Sequence, residues 1–374
     1  MKGIDDMTIA ELQELLQDVS PSVQPLSPDE GVERYLKRRE GEITENTADE
    51  YRRKLQYFLE FCELRDVENL NELDGRFVDD YRVWRRDDAT AGDALSAKTM
   101  RDEMLLFRAF LWYLESIEAV RPGLGENVLI PELGTDDGVR DVELEPDRVA
   151  EILDYLETYQ YASCEHVVWL LHCRTGRRSG AIHSLDVTDV HIGEDPYLSF
   201  RHRPETGTRL KNGSKGEGDV PITDAVAAVL ENYITVQREP VIDEYGREPL
   251  LTSSQGRLSK SVMRRQFYKW SRPCAINNEC PHGESVETCR AAKSMDDASK
   301  CPSSHSCYSA RHGHITHLRR LGLPKSVISD RCDVSEKIID KHYDERSAAD
   351  RRELQRDLFD QLREQQDDEA TGYL

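Results

Sequence analysis

The stretch 132–145 constrains the fold most. It carries Gly134 and Gly138, and five Asp or Glu fall within 136–145. A run of this kind has neither helical nor strand periodicity, and no core can be threaded through it. The chain of 374 residues is therefore expected to fold as two bodies joined by one linker. The boundaries read as an N-terminal extension at 1–27, a helical domain at 28–131, the linker at 132–145, a second domain at 146–347 and a tail helix at 348–374.

Helix signals fill the first body. Thr8 and Glu11 form a capping box ahead of Leu12, Leu15 and Leu16. Ser27-Pro28-Asp29-Glu30 opens a second helix, with Ser at the cap and Pro in the first turn. Thr47 and Glu50 read as the cap of a third, whose buried stripe is Tyr51, Leu55, Phe58, Leu59 and Cys62. Two more helices are expected at 74–86 and 96–117, the latter with Met104, Phe107, Leu111 and Leu114 inward. The second body is expected to hold helices at 146–158, 162–173, 223–236, 259–270, 304–321, 324–332 and 335–346. Two strands, 197–201 and 219–222, flank a Gly-rich turn. The tail 350–365 places Leu354, Leu358, Phe359 and Leu362 on one face. The fold class is thus mainly α with a small β-sheet.

Charge enters because it bears on the partner. The net charge is −22, and only 13 of the 50 basic residues are Lys. An acid-rich, Lys-poor surface suits a salt-saturated cytoplasm, so a halophile is the simplest reading. Four stretches run against the sign: 171–180, 199–215, 250–273 and 303–325 together carry +17 over 74 residues. The other 300 residues carry −39, so the basic islands read as a footprint for an anion. No apolar run exceeds six residues, which excludes a membrane-spanning helix. The N-terminus lacks the basic, apolar and small-residue regions of a signal peptide, so a cytoplasmic protein is expected.

The chemistry-bearing motifs lie inside those islands. Thr175-Gly176-Arg177-Arg178 is followed by Ile182, Leu185 and Asp189. Later come Arg311-His312-Gly313 and, 32 residues after Arg311, the pair His342-Tyr343. In order and spacing this resembles the tyrosine recombinase (phage integrase) family, in a haloarchaeal-like form. The family has a Thr-Gly-x-Arg box, a β-turn lysine, a His-x-x-Arg-His box and a C-terminal tyrosine on a helix.

The resemblance implies a helical core-binding domain at 28–131 that clamps duplex DNA, and a catalytic domain at 146–347. It implies a site-specific recombinase or integrase that cleaves and rejoins DNA through a 3′-phosphotyrosyl link, without catalytic metal or nucleotide. Tyr343 would be the nucleophile. Arg178 and Arg311 would hold the non-bridging phosphate oxygens, since a planar guanidinium suits bidentate contact. Lys211 would protonate the 5′-oxygen, with Lys215 competing for that role. Tyr308 stands where the family has a histidine, three residues before Arg311, and could donate to a phosphate oxygen. Val334 stands at the later His or Trp position, and Ala181 where an acid is usual. These departures keep a second reading open, a catalytically degenerate DNA-binding protein of the same fold. The implied assembly is a homo-tetramer on two DNA sites, and a monomer or dimer off DNA.

The segment 250–273 interleaves Arg257, Lys260, Arg264, Arg265 and Lys269 with Phe267, Tyr268 and Trp270. It reads as a helix with a basic face toward DNA and an apolar back. Arg177, Lys215 and His312 are further candidate DNA contacts. Cys274, Cys280, Cys289 and Cys301 cluster in an insert with His282 between them. Four thiolates, or three with His282, would satisfy tetrahedral zinc, although the spacings are wider than usual; four reduced, unligated thiols are the alternative.

Overall fold

In the computed structural model the described residues are 25–87, 95–134 and 144–343, with isolated tail positions 352, 355, 356, 359 and 360. The expected helix at Thr8–Leu16 and most of the tail lie outside them. The chain divides into two compact units, Met1–Arg140 and Asp141–Leu374.

The first unit is built from α1 (Pro28–Arg38), α2 (Glu45–Leu64), α3 (Gly75–Asp87) and α4 (Ala97–Ser116). Ser27 caps α1 by accepting from the Glu30 amide at 3.3 Å. The cap of α2 is Thr44, which accepts from the Thr47 amide at 3.2 Å, so the helix begins three residues earlier than the Thr47 signal suggests. Two threonines one turn apart give the same pattern in sequence, and the first takes the role because its backbone is extended. The core is aromatic. Phe58 meets Phe110 at 5.4 Å and Phe107 at 5.5 Å, and Tyr81 meets Phe107 at 4.6 Å.

The second unit opens with α5 (Pro146–Tyr159), α6 (Cys164–Thr175) and α7 (Ser179–Ser184). Helix α6 is apolar all round and buries His166 through Cys173, as expected of a helix inside a core. Strands β1 (Val190–His191), β2 (Tyr197–Phe200) and β3 (Gly218–Pro221) form an antiparallel sheet in that order, with Leu198 opposite Val220 and Phe200 opposite Gly218. Helix α8 (Asp224–Asn232) runs on into a π turn at Tyr233–Gln237. A hairpin of β4 (Thr252–Ser253) and β5 (Gly256–Arg257) precedes α9 (Lys260–Ser271). Trp169 of α6 stacks on Phe267 of α9 with ring centroids 4.0 Å apart.

The insert holds short helices α10 (Cys274–Asn277) and α11 (Arg290–Lys293). Helices α12 (Cys307–Arg320), α13 (Lys325–Cys332) and α14 (Glu336–Tyr343) close the described part of the unit. Helix α6 packs against α5, α9 and α12. Ile315, Ile328, Cys332, Val334 and Ile339 form a small separate core among α12, α13 and α14. No helix among the described residues is long and apolar enough to cross a membrane.

Candidate functional site

The site is organised by the end of α6. Gly176 caps the helix in the left-handed region, φ +63°. A Cβ there would stand 2.4 Å from the His314 ring and 2.8 Å from Cys332 Sγ, so only glycine fits. Thr175 donates its hydroxyl to the Leu171 carbonyl at 2.6 Å and accepts from the Arg177 amide at 3.2 Å. The chain leaves the helix with Arg177 and Arg178 aimed differently.

Arg177 turns inward and is 1% exposed. It donates to the Gly216 carbonyl at 2.7 Å and the Asp330 carbonyl at 3.0 Å, and it lies over the Phe200 ring at 4.7 Å. Burial lowers its pKa from the ordinary arginine value. The expected DNA contact is therefore corrected: Arg177 is a brace that ties the β2–β3 turn to α13.

Arg178 turns outward. Its Nη1 donates to Asp333 Oδ2 at 2.6 Å, and its side chain keeps 29% of its exposure. Arg311, in the second turn of α12, is 5% exposed. It donates to the Gly176 carbonyl at 2.7 Å, to the Cys332 carbonyl, and to the Asp333 carbonyl at 3.3 Å. Arg178 and Arg311, 133 residues apart in sequence, thus meet on one residue, and Asp333 is ten residues before Tyr343. Tyr343 is the last residue of α14; its side chain and that of His342 lie outside the described residues.

The β2–β3 turn completes the wall. Asn212 donates to Asp333 Oδ1 at 2.7 Å. Lys211 and Lys215 are both exposed, but only Lys215 lines the cleft of about 910 Å³ that also takes in Asn212, Gly216, Asp333 and Val334. Tyr308 is 51% exposed in the first turn of α12. His312, read as a DNA contact, is 8% exposed and faces the interior. Val334 is 4% exposed and belongs to the small core, and Ala181 is 6% exposed. His314 covers Gly176, and burial, with Arg331 adding, pushes its ring down to about 3.

The basic segment 250–273 is only partly a surface. Arg257 donates to Asp186 Oδ1 at 2.7 Å, to Asp243 Oδ2 at 2.8 Å and to the His183 and Leu185 carbonyls. It is an internal clamp, and its expected DNA role is corrected. Lys269 is held by Glu165 at 2.8 Å and lies over Trp270 at 4.3 Å, and Arg265 pairs with Asp296 of the insert. Their charge is neutralised locally. Lys260 and Arg264 are exposed and have no carboxylate partner among the described residues.

All nine cysteines are free thiols. Cys274, Cys280, His282, Cys289 and Cys301 line one cavity of about 240 Å³. Burial raises the Cys274 thiol; Arg272 opposes the rise, and the other three cysteines of the insert add to it. His282 instead bonds Ser303 Oγ at 3.0 Å. Among the described residues no three His, Cys, Asp or Glu side chains stand as a group that could hold a metal ion, so the expected zinc site is not supported by the side chains as placed.

No protein-family profile and no curated protein sequence matches the chain. Solved structures do. The Tn1549 transposon integrase in complex with transposon right-end DNA is 14% identical, with a TM-score of 0.60 over 88% of this chain and 99% of that one. A lambda integrase dimer bound to a COC′ core site is 12% identical, with a TM-score of 0.59 over 92% and 83%. The chain has the tyrosine-recombinase fold. The N-terminal domain of a phage integrase/site-specific recombinase from Haloarcula marismortui is 33% identical over 29% of this chain and 99% of its own length, with a TM-score of 0.27. The sequence motifs name Arg178 and Arg311 but not Asp333, the residue on which both arginines meet. Its only signal was an acid directly after Cys332, at a helix end where Gly or Asn is usual.

Proposed function

We propose that the chain is a site-specific DNA recombinase or integrase, with Tyr343 as nucleophile on a backbone phosphate. The observation that carries this reading is the meeting of Arg178 and Arg311 at Asp333, ten residues before a helix-borne tyrosine. Breaking a phosphodiester without metal requires a nucleophile, cations for the charge that builds on the non-bridging oxygens, and an acid for the leaving oxygen. Arg178, partly exposed, supplies the cation that reaches the phosphate. Arg311 lies beneath it and holds the 332–333 backbone in position. Lys215 takes the acid role ahead of Lys211, because it lines the cleft. Tyr308, exposed at the head of α12, supplies a further hydrogen-bond donor in this reading, supported by its exposure. Attack by Tyr343 Oη forms a 3′-phosphotyrosyl ester and releases a 5′-hydroxyl. The bond energy is retained, and the strand can be resealed without a nucleotide.

A nicked suicide duplex tests the reading. Wild type is expected to accumulate a covalent DNA adduct that Tyr343→Phe abolishes, with Lys215→Ala slower than Lys211→Ala. Absence of any adduct across low to molar salt, with DNA binding intact, would leave a DNA-binding protein of recombinase fold.

The four cysteines around one cavity favour a second, structural proposal: a zinc clip that orders the insert 274–301 and performs no chemistry. Protein purified without a His-tag should carry about one zinc per chain. Less than about half an equivalent, unchanged by substituting Cys280 and Cys289 with Ser, would reject it.

A further inference from the structure

We propose that Asp333 is a built-in occupant of the phosphate seat: its carboxylate holds Arg178 until a DNA phosphate displaces it. The inference rests on the reading of Arg178 as a phosphate ligand and adds how that ligand is held in the absence of DNA.

Three observations converge. First, Asp333 caps α13 in the left-handed region, φ +51° and ψ 59°, which glycine adopts freely and aspartate more readily than most residues with a Cβ. Asp66, Glu118, Ala162 and Asn278 share this region, so it is the contacts of the carboxylate that set Asp333 apart. Second, its two carboxylate oxygens are fully engaged, Oδ2 by Arg178 at 2.6 Å and Oδ1 by Asn212 at 2.7 Å. A planar pair of oxygens facing a guanidinium and an amide presents the same acceptors as one face of a phosphate. Third, the carboxylate is closely fitted. A Cβ on Gly216 would stand 3.0 Å from Oδ2, so with a side chain at 216 the turn that carries Lys215 or the carboxylate would have to give way by a few tenths of an ångström.

A carboxylate and a phosphate cannot share one guanidinium without strong like-charge repulsion. Arg178 must therefore release Asp333 as it takes up DNA. The Asp333 side chain is 12% exposed and that of Arg178 29%, so Arg178 is the partner more open to solvent. The cleft of about 910 Å³ lined by Asn212, Lys215 and Asp333 gives the carboxylate a path out. The latch neutralises Arg178 when no DNA is present.

The test uses the full chain with Asp333→Gly, which adopts the left-handed region freely, and Asp333→Asn, which keeps a side chain tolerant of it. The probes are inorganic phosphate alone, read as a shift in melting temperature, and a random-sequence duplex, read by anisotropy. Both variants should be stabilised by phosphate more than wild type and should bind the duplex about fivefold tighter. Adding Arg178→Ala should erase the gain. Glu194→Gln removes the same charge from an exposed position and should leave affinity unchanged. No gain on inorganic phosphate in either folded variant, or a gain that survives loss of Arg178, would overturn the proposal. The phosphate arm needs no DNA cleavage, so failure of the Tyr343 adduct assay would leave this result standing.

Discussion

The two units satisfy their fully buried arginines in different ways. In the first, Arg85 and Glu103 form an ion pair inside an aromatic core, Nε to Oε2 at 2.8 Å, with Arg85 lying over the Tyr57 ring at 3.7 Å. The partners are side chains on neighbouring helices. In the second, the fully buried arginines bond to main-chain carbonyls, while the partly buried Arg203, Arg247 and Arg257 gather on the buried carboxylates Asp186 and Asp189. Arg177 serves Gly216 and Asp330, Arg311 serves Gly176, Cys332 and Asp333, and Arg272 serves Lys269 and Ala291. Four long helices satisfy their own backbone and need little help. The second unit adds helices of four to eight residues, strands of two to four and many connecting turns, which leave carbonyls to be satisfied, and a guanidinium with five donors does so economically.

The largest expected effect follows from that contrast. Arg177→Met should cost about 3 kcal/mol, because the buried Gly216 carbonyl and the part-buried Asp330 carbonyl lose their donor and cannot be mutated away. Segment-resolved hydrogen exchange should show the loss around the β2–β3 turn and α13, with the first unit unchanged. Arg85→Met alone should cost a similar amount, about 3–5 kcal/mol, because it strands the buried Glu103. Here, however, the Arg85→Met/Glu103→Leu double variant should recover most of it, since both partners can be replaced by apolar groups of similar volume. If Arg177→Met proves neutral, the distinction between the units is wrong.

The same contrast explains what could be read in the sequence. Ser27 as a cap, the stripe Leu55, Phe58 and Cys62, and the Met104-to-Leu114 face of α4 are periodic, and periodicity is local information. The Thr175–Arg178 turn was legible because glycine and threonine are required there for stated reasons. The fate of each basic residue was not legible. Arg177 and Arg178 are adjacent, yet one is buried as a brace for a turn and the other is partly exposed and paired with Asp333. Arg257 and Lys260 lie in one island, and only Lys260 reaches solvent free of a carboxylate among the described residues. Sequence charge counts both alike, so the basic islands overstate the surface available to a polyanion. Helix α7, strand β1 and the β4–β5 hairpin were missed for a related reason. They are too short to show a period and are fixed by tertiary contacts such as Arg257 on the Leu185 carbonyl.

Acid should separate the units again, by a smaller amount. Every histidine of the chain lies in the second unit. His172 is fully buried; in the neutral ring Nδ1 donates to the Val168 carbonyl at 2.7 Å, and Nε2 accepts from Ser179 at 3.2 Å. Burial pushes its pKa down to about 4, and that of His314 down to about 3. Both rings therefore resist a proton that the unfolded chain accepts below about pH 6.5. With more protons bound in the unfolded state, stability is full above that pH and falls as the pH drops toward the folded values. Between about pH 6.5 and pH 5 each ring should cost up to about 2 kcal/mol, a window in which most carboxylates of either unit have not yet titrated. Hydrogen exchange at the two pH values, corrected for intrinsic rates, should show the second unit losing protection and the first keeping it. His172→Gln retains hydrogen-bonding capacity without a titrating group and should flatten the dependence by about one ring's share. Equal losses in both units would place the acid response in the carboxylates and would remove the buried histidines from the account.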